Sequence, residues 1–332
     1  MSNPHGPSVS VVLCTYNGSR FLDEQLASVT AQTYAPCEIL VHDDGSTDAT
    51  PDIVARWSRQ DPRIRFVRND GPHGVNGNFF TAMRRASGEL LALCDQDDIW
   101  EPDKLAVQVE ALGDDWLCSG FSRPFSEGGY PALWDARRPN YHLLRVLYLG
   151  VLPGHTLLLR RSLLRYLPQG ISSPYLYDWQ LQTVAAAAGK IVFVDRVLVN
   201  WRRHADAATA VPPVERGQFR SVLRYVCVTL LRHRRLQRAV RARFAYIGGM
   251  LAPLPFDTPQ LADARRMAAL QQSRLFSDFL RLTAFCIRHR RHLFHTETTG
   301  RAWLDILRAA YFPFSCGWYY RGVLRPPRTP RP

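Results

Sequence analysis

The chain has 332 residues, of which 46% are hydrophobic and 21% charged, a composition typical of folded globular proteins and not of disordered ones. No apolar run approaches the roughly 18 to 20 uncharged residues that span a bilayer, and we expect no secretory signal at the N-terminus. Seven scattered cysteines without a C-x-x-C pair favour reduced thiols over disulfides or a zinc site, which predicts a cytoplasmic protein.

Positive charge is concentrated in the last third of the chain. Residues 1–212 hold 20 basic and 23 acidic residues, a balance of −3, whereas residues 213–332 hold 22 basic and 6 acidic residues, a balance of +16. The Pro-rich residues 325–332 are typical of a disordered tail. We therefore predict one domain over 1–212, a basic, arginine-rich helical extension over 213–324 and a disordered tail over 325–332.

Short apolar runs alternate with helical patterns through the first hundred residues. Runs of β-branched and aliphatic residues predict strands at 8–13, 38–41, 64–67 and 89–94. Apolar residues at helical spacing predict intervening helices at 20–32, 47–57 and 77–86. The alternation indicates parallel βαβ units, and hence an α/β fold with a mostly parallel central sheet.

After Trp100 the pattern is less regular. Pro102 and Asp103 suit the first turn of a helix. Further strands are predicted at 116–121, 156–159, 191–194 and 198–201, and a further helix at 178–188. Beyond residue 213 the sequence favours arginine-rich helices.

Polar clusters follow three of the predicted strands. They are Thr15-Tyr16-Asn17, Asp43-Asp44-Gly45-Ser46 and Asp95-Gln96-Asp97-Asp98. Ligands of open α/β sheets bind at the carboxyl ends of the strands. The three clusters together therefore predict one site at that edge of the sheet.

The third cluster places three carboxylates in four positions. In an extended segment, Asp95 and Asp97 would share one face, and hard oxygen ligands at that spacing suit Mg²⁺ or Mn²⁺. An acidic turn that caps the helix after Pro102 is the alternative interpretation, and D-x-D alone favours it. When the flanking residues LALC and IWEPDKL are included, the sequence favours the metal site over the acidic turn.

Six segments resemble family 2 glycosyltransferases in their order and approximate spacing: VSVVLCTYNG, VHDDGSTD, GVNGNFFTA, LCDQDDIWEPDKL, YDWQL and VNWRRH. The resemblance covers about residues 8–206, and the D-Q-D-D-I-W form is most similar to the rhamnosyltransferase-like branch. It implies a GT-A nucleotide-sugar-binding fold over residues 1–212. It also implies a glycosyltransferase of cell-surface polysaccharide synthesis.

The resemblance assigns donor contacts to the strand ends. Tyr16 would offer a ring for stacking on the base, and Asp44 would accept from the imide N–H of uracil or thymine. The interpretation of Asp43-Asp44-Gly45-Ser46 as an Asx turn stays open, as does a helix-start role for Asn78. The implied donor-binding residues are Thr15, Tyr16, Asn17, Asp44, Asn78 and Asp95.

The resemblance further implies a Mn²⁺ or Mg²⁺ ion held by Asp95, Asp97 and His204. The ion would neutralise charge on the departing nucleoside diphosphate. Asp97 is the stronger candidate for direct ligation, and Asp98 could act through water. A structural role for His204 is an equal alternative, and the two arginines before it could engage phosphate.

Asp178 matches the family's catalytic base at the start of a helix. Burial among aromatic rings would raise its basicity, and a helix N-cap role is compatible with this. His155 and Trp179 are the weaker candidates for acceptor contact. The sequence offers no paired nucleophile, so we expect direct displacement with inversion at the anomeric carbon.

The expected reaction moves a sugar from dTDP-rhamnose or a UDP-sugar to a saccharide or lipid-linked saccharide acceptor. Two alternatives stay open: a nucleotidyltransferase, which would need a Gly-rich basic loop after the first strand, and a non-catalytic saccharide- or membrane-binding protein on a transferase fold.

The basic extension mixes arginine clusters with aromatic residues, a combination that suits an anionic membrane surface. The protein would then lie peripherally on the inner face of the cell membrane. A helical bundle with solvated arginines is the plainer alternative. Nucleic acid is a disfavoured partner because no recognition motif accompanies the charge.

Overall fold

The structure, a computed structural model, describes residues 6–126, 132, 134–168, 176–204, 229, 231, 233–295 and 298–317. These residues form two compact units. The first lies within Met1–Arg138, Leu152–Ala185 and Lys190–Pro213, and the second within Pro139–Val151, Ala186–Gly189 and Val214–Pro332. The predicted boundary near residue 212 and the tail 325–332 lie outside the described residues. Two short segments before that boundary belong to the second unit, so a single cut does not reproduce the division.

The first unit opens with the alternation that the sequence predicts. Its elements are β1 (Val9–Thr15), α1 (Leu22–Thr30), β2 (Glu38–Asp43), α2 (Thr50–Gln60), β3 (Ile64–Arg68), α3 (Val75–Arg85) and β4 (Leu90–Cys94). Strands β1, β2 and β4 are buried along their whole length, as expected for parallel strands covered on both faces. Parallel pairing aligns Thr15 with Asp43 and Leu13 with Cys94. The loops after these strands therefore leave the sheet at the same edge.

The remaining elements complete a mixed sheet. They are β5 (Ile99–Trp100), α4 (Lys104–Leu112), β6 (Leu117–Ser126), α5 (Leu143–Val146), β7 (Leu158–Arg160), α6 (Tyr177–Ala187) and β8 (Ile191–Arg203), with α5 in the second unit. The strand order is β3-β2-β1-β4-β7-β6-β8-β5. Strand β7 runs antiparallel to both β4 and β6, and β5 runs antiparallel to β8. The α/β fold with a sheet flanked by helices is confirmed.

Three details differ from the sequence-based expectation. The strands predicted at 191–194 and 198–201 form one strand, β8. The strand predicted at 156–159 begins only at Leu158, because Gly154–Thr156 forms a 3₁₀ turn. Strand β5, which is only two residues long, has no counterpart among the predicted strands.

The second unit is helical. Besides α5 it contains α7 (His233–Leu251), α8 (Pro259–Gln272), α9 (Phe276–Arg288), α10 (Arg290–Leu293) and α11 (Ala302–Ser315). Tyr148 packs against the rings of Phe244 and Phe312, which ties the segment after α5 to α7 and α11. Across the described residues, no helix combines the length and the apolar character that crossing a membrane requires.

Candidate active site

The chain bends directly after β4, and the bend separates the three carboxylates. Asp95 keeps 40% of its side chain exposed, Asp97 keeps 19%, and Asp98 is fully buried. Asp95 and Asp98 approach the same histidine, His155, whereas Asp97 approaches His204. Because Asp95 and Asp97 lie in a bend and not in an extended strand, the alternation of side chains along a strand does not apply to them.

Asp97 and His204 form a close pair. The Oδ2 atom of Asp97 lies 2.8 Å from Nε2 of His204, and the Phe21 ring packs against the imidazole. Two ligands of one octahedral ion, each about 2.1 Å from it, lie about 3 Å apart. Burial, with the charge of Asp95 added, raises the pKa of Asp97. A mostly buried carboxylate beside a histidine fits a divalent cation, which would remove that penalty.

Asp95, Asp98 and His155 form a second set of potential metal ligands. One ligand atom from each of Asp95, Asp98 and His155 falls within 4.8 Å of the others. Nδ1 of His155 lies 3.6 Å from Asp95 and 3.8 Å from Asp98, and Nε2 is hydrogen-bonded to Ser122 at 2.7 Å. Burial opposes ionisation of His155, but the carboxylates of Asp98 and Asp95 outweigh it and raise its pKa. His155 is thus a buried neighbour of the acidic bend and not an accessible acceptor contact, which corrects that prediction.

Arg202, at the end of β8, holds the acidic bend in place, a role for which the sequence contains no clear signal. Its backbone N–H donates to Asp98 Oδ1 at 3.0 Å, and its Nε donates to the carbonyl of Asp97 at 2.9 Å. Its Nη2 reaches Glu24 at 2.5 Å, and the guanidinium lies over the Phe21 ring. The side chain is completely buried, so the predicted phosphate contact does not apply to Arg202.

Tyr16 presents an accessible ring above a fixed backbone. The residue is 59% exposed. Gln96 accepts from the Tyr16 N–H at 2.8 Å and donates to the Tyr16 carbonyl at 3.1 Å. A Cβ at Gly18 would collide with the Gln96 side chain, so the glycine permits this bridge. Asn17, with a positive φ of 49°, accepts from the Thr47 N–H at 2.9 Å.

The second strand end contains one fully buried aspartate, Asp43, and one aspartate, Asp44, whose side chain is 10% exposed. Asp43 is buried and accepts from the backbone N–H groups of Gly45 and Ser46 at 3.1 and 2.8 Å, which is the Asx turn left open by the sequence. Asp44 accepts from Asn69 at 2.7 Å and from the Gly74 N–H at 2.7 Å, and His73 lies 3.0 Å away.

Two predicted donor contacts are buried in hydrogen bonds within the protein. The Thr15 hydroxyl donates to Asp43 at 2.9 Å. Asn78, on α3, donates to the carbonyl of His42 at 3.0 Å and pairs with the His42 ring at 2.5 Å. Both side chains join strand ends to their neighbours and so support the site from within the protein. Donor contact by Thr15 and Asn78 stays a prediction.

Asp178 lies in the first turn of α6. Its Oδ1 accepts from the Trp179 N–H at 2.6 Å, a placement that the helix dipole favours. Burial, with a smaller contribution from Asp95, raises the pKa of Asp178 to about 6. Trp179 is almost fully buried, and the neighbouring Tyr177 stacks on Phe79 at 4.0 Å. Trp179 therefore does not line an open acceptor pocket, and Tyr175 lies outside the described residues.

A sheet with a parallel half that carries polar loops at its carboxyl edge, completed by antiparallel strands, defines the GT-A type of transferase fold. The likeness extends to residues 1–349 of the Staphylococcus aureus protein TarS in complex with UDP-GlcNAc. That structure aligns with a TM-score of 0.55 at 15% identity, over 93% of this chain and 89% of TarS 1–349. At this identity the likeness concerns the fold alone.

Residues 10–167, just under half of the chain, match the sequence profile of glycosyl transferase family 2, and the chain is a glycosyltransferase. An uncharacterized protein of Mycobacterium tuberculosis H37Rv is 28% identical over 293 residues, 85% of this chain and 83% of the relative. The Escherichia coli UDP-Glc:alpha-D-GlcNAc-diphosphoundecaprenol beta-1,3-glucosyltransferase WfgD is 38% identical over 104 residues, 31% of this chain and 40% of WfgD. The rhamnosyltransferase-like branch stays a prediction.

Proposed function

We propose that the chain is a metal-dependent, inverting glycosyltransferase that uses dTDP-rhamnose or a UDP-sugar as donor. The acceptor would be a saccharide or lipid-linked saccharide in cell-surface polysaccharide synthesis, and the basic second unit would contact an anionic membrane surface. The observation that carries the proposal is the pairing of Asp97, in the bend after β4, with His204, directly after β8. WfgD, whose name specifies a UDP-sugar donor and a diphospholipid acceptor, supports the reactant classes.

The metal assignment favours Asp97 and His204 as direct ligands, with Asp95 towards the donor. An ion that would neutralise the donor's diphosphate must be reachable from solvent. Both members of this pair are partly exposed, whereas Asp98 and His155 are almost or completely buried. Mn²⁺ or Mg²⁺ bound by the pair would offset the charge of the leaving nucleoside diphosphate.

Base recognition would use Tyr16 and Asp44. The exposed Tyr16 ring can stack on a nucleobase, and stacking of this kind tolerates different bases. A carboxylate offers about four acceptor positions. Asp44 uses up to three of them for Asn69, His73 and Gly74, which leaves about one for the imide N–H of uracil or thymine.

Asp178 would take the proton of the acceptor hydroxyl as that oxygen attacks the anomeric carbon. A carboxylate with a pKa of about 6 is ionised at neutral pH and is a stronger base than an ordinary aspartate. The oxygen attacks from the face opposite the leaving diphosphate, so one displacement inverts the configuration. The family 2 domain favours this reaction over nucleotidyl transfer and over a non-catalytic role.

A thermal-shift screen of UDP, dTDP and CDP, with and without Mn²⁺, tests the proposal. UDP or dTDP should protect the protein, and Mn²⁺ should enhance this protection. Asp97→Ala and His204→Ala should abolish the enhancement, whereas Asp98→Asn, the matched control, should retain it. Loss in Asp98→Asn with retention in Asp97→Ala would instead place the ion between Asp95, Asp98 and His155.

Measurements of sugar transfer distinguish the proposed base from the proposed metal ligands. Asp178→Asn should keep nucleotide protection nearly intact while it abolishes sugar transfer. Full transfer by this variant would refute the base assignment without affecting the metal site.

A further inference from the structure

Helix α9 exposes an apolar stripe along its length. Phe276 is 74% exposed and Leu280 is 53% exposed, and the stripe continues through Ala284 to the partly exposed Ile287. At about 100° per residue these four positions fall within an arc of about 80°. The opposite side of the helix is buried in the second unit through Leu282, Phe285 and Cys286. The stripe is therefore a surface feature of a helix that is otherwise well packed.

Arginines border this stripe. Arg281 and Arg288 are seven residues apart and lie beside it on the same side of α9. They line a cleft of about 460 Å³ with Arg266 of α8 and Arg290 of α10. The cleft is otherwise lined by Ala284, Phe285 and Ile287. It thus combines four guanidinium groups with an apolar lining.

The positive charge of the cleft is poorly compensated. Arg281 pairs with Asp278 at 3.1 Å, and Arg290 donates to the carbonyl of Ile287. Arg266 and Arg288 have no carboxylate partner within the part of the chain that the structure describes. Guanidinium groups bind phosphate through charge-assisted, commonly bidentate hydrogen bonds, so the cleft suits a phosphate group.

We propose that α9 and the arginine cleft form a membrane-docking surface, in which the cleft takes the phosphate of an anionic lipid. Phe276 and Leu280 would enter the boundary between headgroups and acyl chains. An exposed apolar stripe flanked by arginines fits such an interface, since a nucleic acid would pair with the charges but not cover the stripe. The proposal rests on the membrane contact in the proposed function and specifies its surface.

Helix α11, which packs on α9 through Phe314 and Phe279 at 4.9 Å, exposes further apolar side chains. Trp303, Ile306 and Leu307 are spaced three and four residues apart, so they share one face of α11. They would add apolar area to the membrane contact. This addition matters because binding strength scales with buried apolar area, and the stripe on α9 is short.

Vesicle co-sedimentation of the full chain tests the surface. The protein should bind vesicles of phosphatidylcholine with phosphatidylglycerol and not vesicles of phosphatidylcholine alone. Arg281→Gln with Arg288→Gln should weaken binding about 10- to 30-fold, because each basic residue near an anionic surface contributes about one factor of five. Phe276→Ser with Leu280→Ser should remove the binding that persists at high salt.

Arg59→Gln with Arg238→Gln is the matched control, since it removes the same charge from exposed positions outside this surface. Equal weakening by the control would overturn the proposal, because diffuse charge would then explain binding. Saturable binding of inorganic phosphate without vesicle binding would overturn the membrane assignment too. Protection by UDP or dTDP, measured on the same samples, reports separately on the transferase site.

Discussion

Replacing the proposed base should make the protein more stable at neutral pH. Burial raises the pKa of Asp178 from its ordinary value of 3.8 to about 6. The unfolded chain therefore loses this proton at lower pH than the folded protein does. Stability falls as the pH rises from about 4 through about 6, and the whole cost is present above that range. The amide of an asparagine carries no such charge, so Asp178→Asn removes the cost.

The magnitude follows from the size of the shift. A change of about two pKa units at about 1.4 kcal/mol each gives an upper value of about 3 kcal/mol. Partial exposure of the side chain reduces this value, so we expect Asp178→Asn to raise the free energy of unfolding by about 1–3 kcal/mol at pH 8. For a unit of this size, that gain corresponds to a rise of roughly 2–12 °C in Tm. At pH 4, where Asp178 is protonated, the two proteins should unfold at similar temperatures.

The assay is thermal unfolding between pH 4 and pH 8, in a chelator and without nucleotide. Asp52→Asn provides the matched control, because Asp52 also lies in the first turn of a helix but is exposed. Asp52→Asn should lower the free energy of unfolding by about 0.5 kcal/mol, because it removes a favourable interaction with the helix dipole. This change has the opposite sign. Equal or lower stability of Asp178→Asn at pH 8, or a gain that does not diminish towards pH 4, would refute the reasoning.

Three further substitutions probe the surroundings of the site. Tyr16→Ala should weaken UDP binding in calorimetry by about tenfold without changing Tm, because the ring stacks on the base and is largely exposed; a large fall in Tm would contradict this. Lys104→Met should raise stability by about 2 kcal/mol at pH 6 and less at pH 10. Burial lowers the pKa of Lys104 to about 7, so its charge destabilises the folded protein at low pH, and urea denaturation at both pH values checks the sign. Arg202→Met should cost about 3 kcal/mol in urea denaturation and also reduce Mn²⁺-enhanced protection, since it frees the carbonyl of Asp97; unchanged Mn²⁺ dependence would limit Arg202 to a purely structural role.

The first half of the sheet could be predicted from sequence because its signals are local. Each strand there is a short run dominated by apolar residues, and the structure reproduces the predicted bounds within about two residues. The sequence predicts two strands in place of β8 because Asp195 and Arg196 interrupt its apolar pattern. In the sheet, Val194 pairs with Gly120 and Val197 pairs with Phe121, so the two polar residues form a bulge.

The partners of the acidic residues could not be predicted, because they depend on contacts between distant segments. After the bend that follows Cys94, Asp97 lies next to His204 and Asp98 lies next to His155. No local sequence pattern predicts that the two side chains have different partners. The sequence also left Asp98 undecided, although its complete burial makes it a structural member of the site. Spacing identified which residues matter, but the fold determines which of them meet.

Three carboxylates can lie close together after β4 because the repulsion between their charges is reduced in a different way at each one. Burial raises the pKa of Asp98 to about 7, so this carboxyl is partly protonated at neutral pH. Asp97 pairs with His204, whereas the Asp95 side chain is 40% exposed to water. The same charge of Asp95 raises the pKa of both Asp97 and the proposed base, Asp178. A cation held by Asp97 would therefore lower both pKa values at once. Donor binding and ionisation of the base would then be coupled through one electrostatic field, without any conformational change.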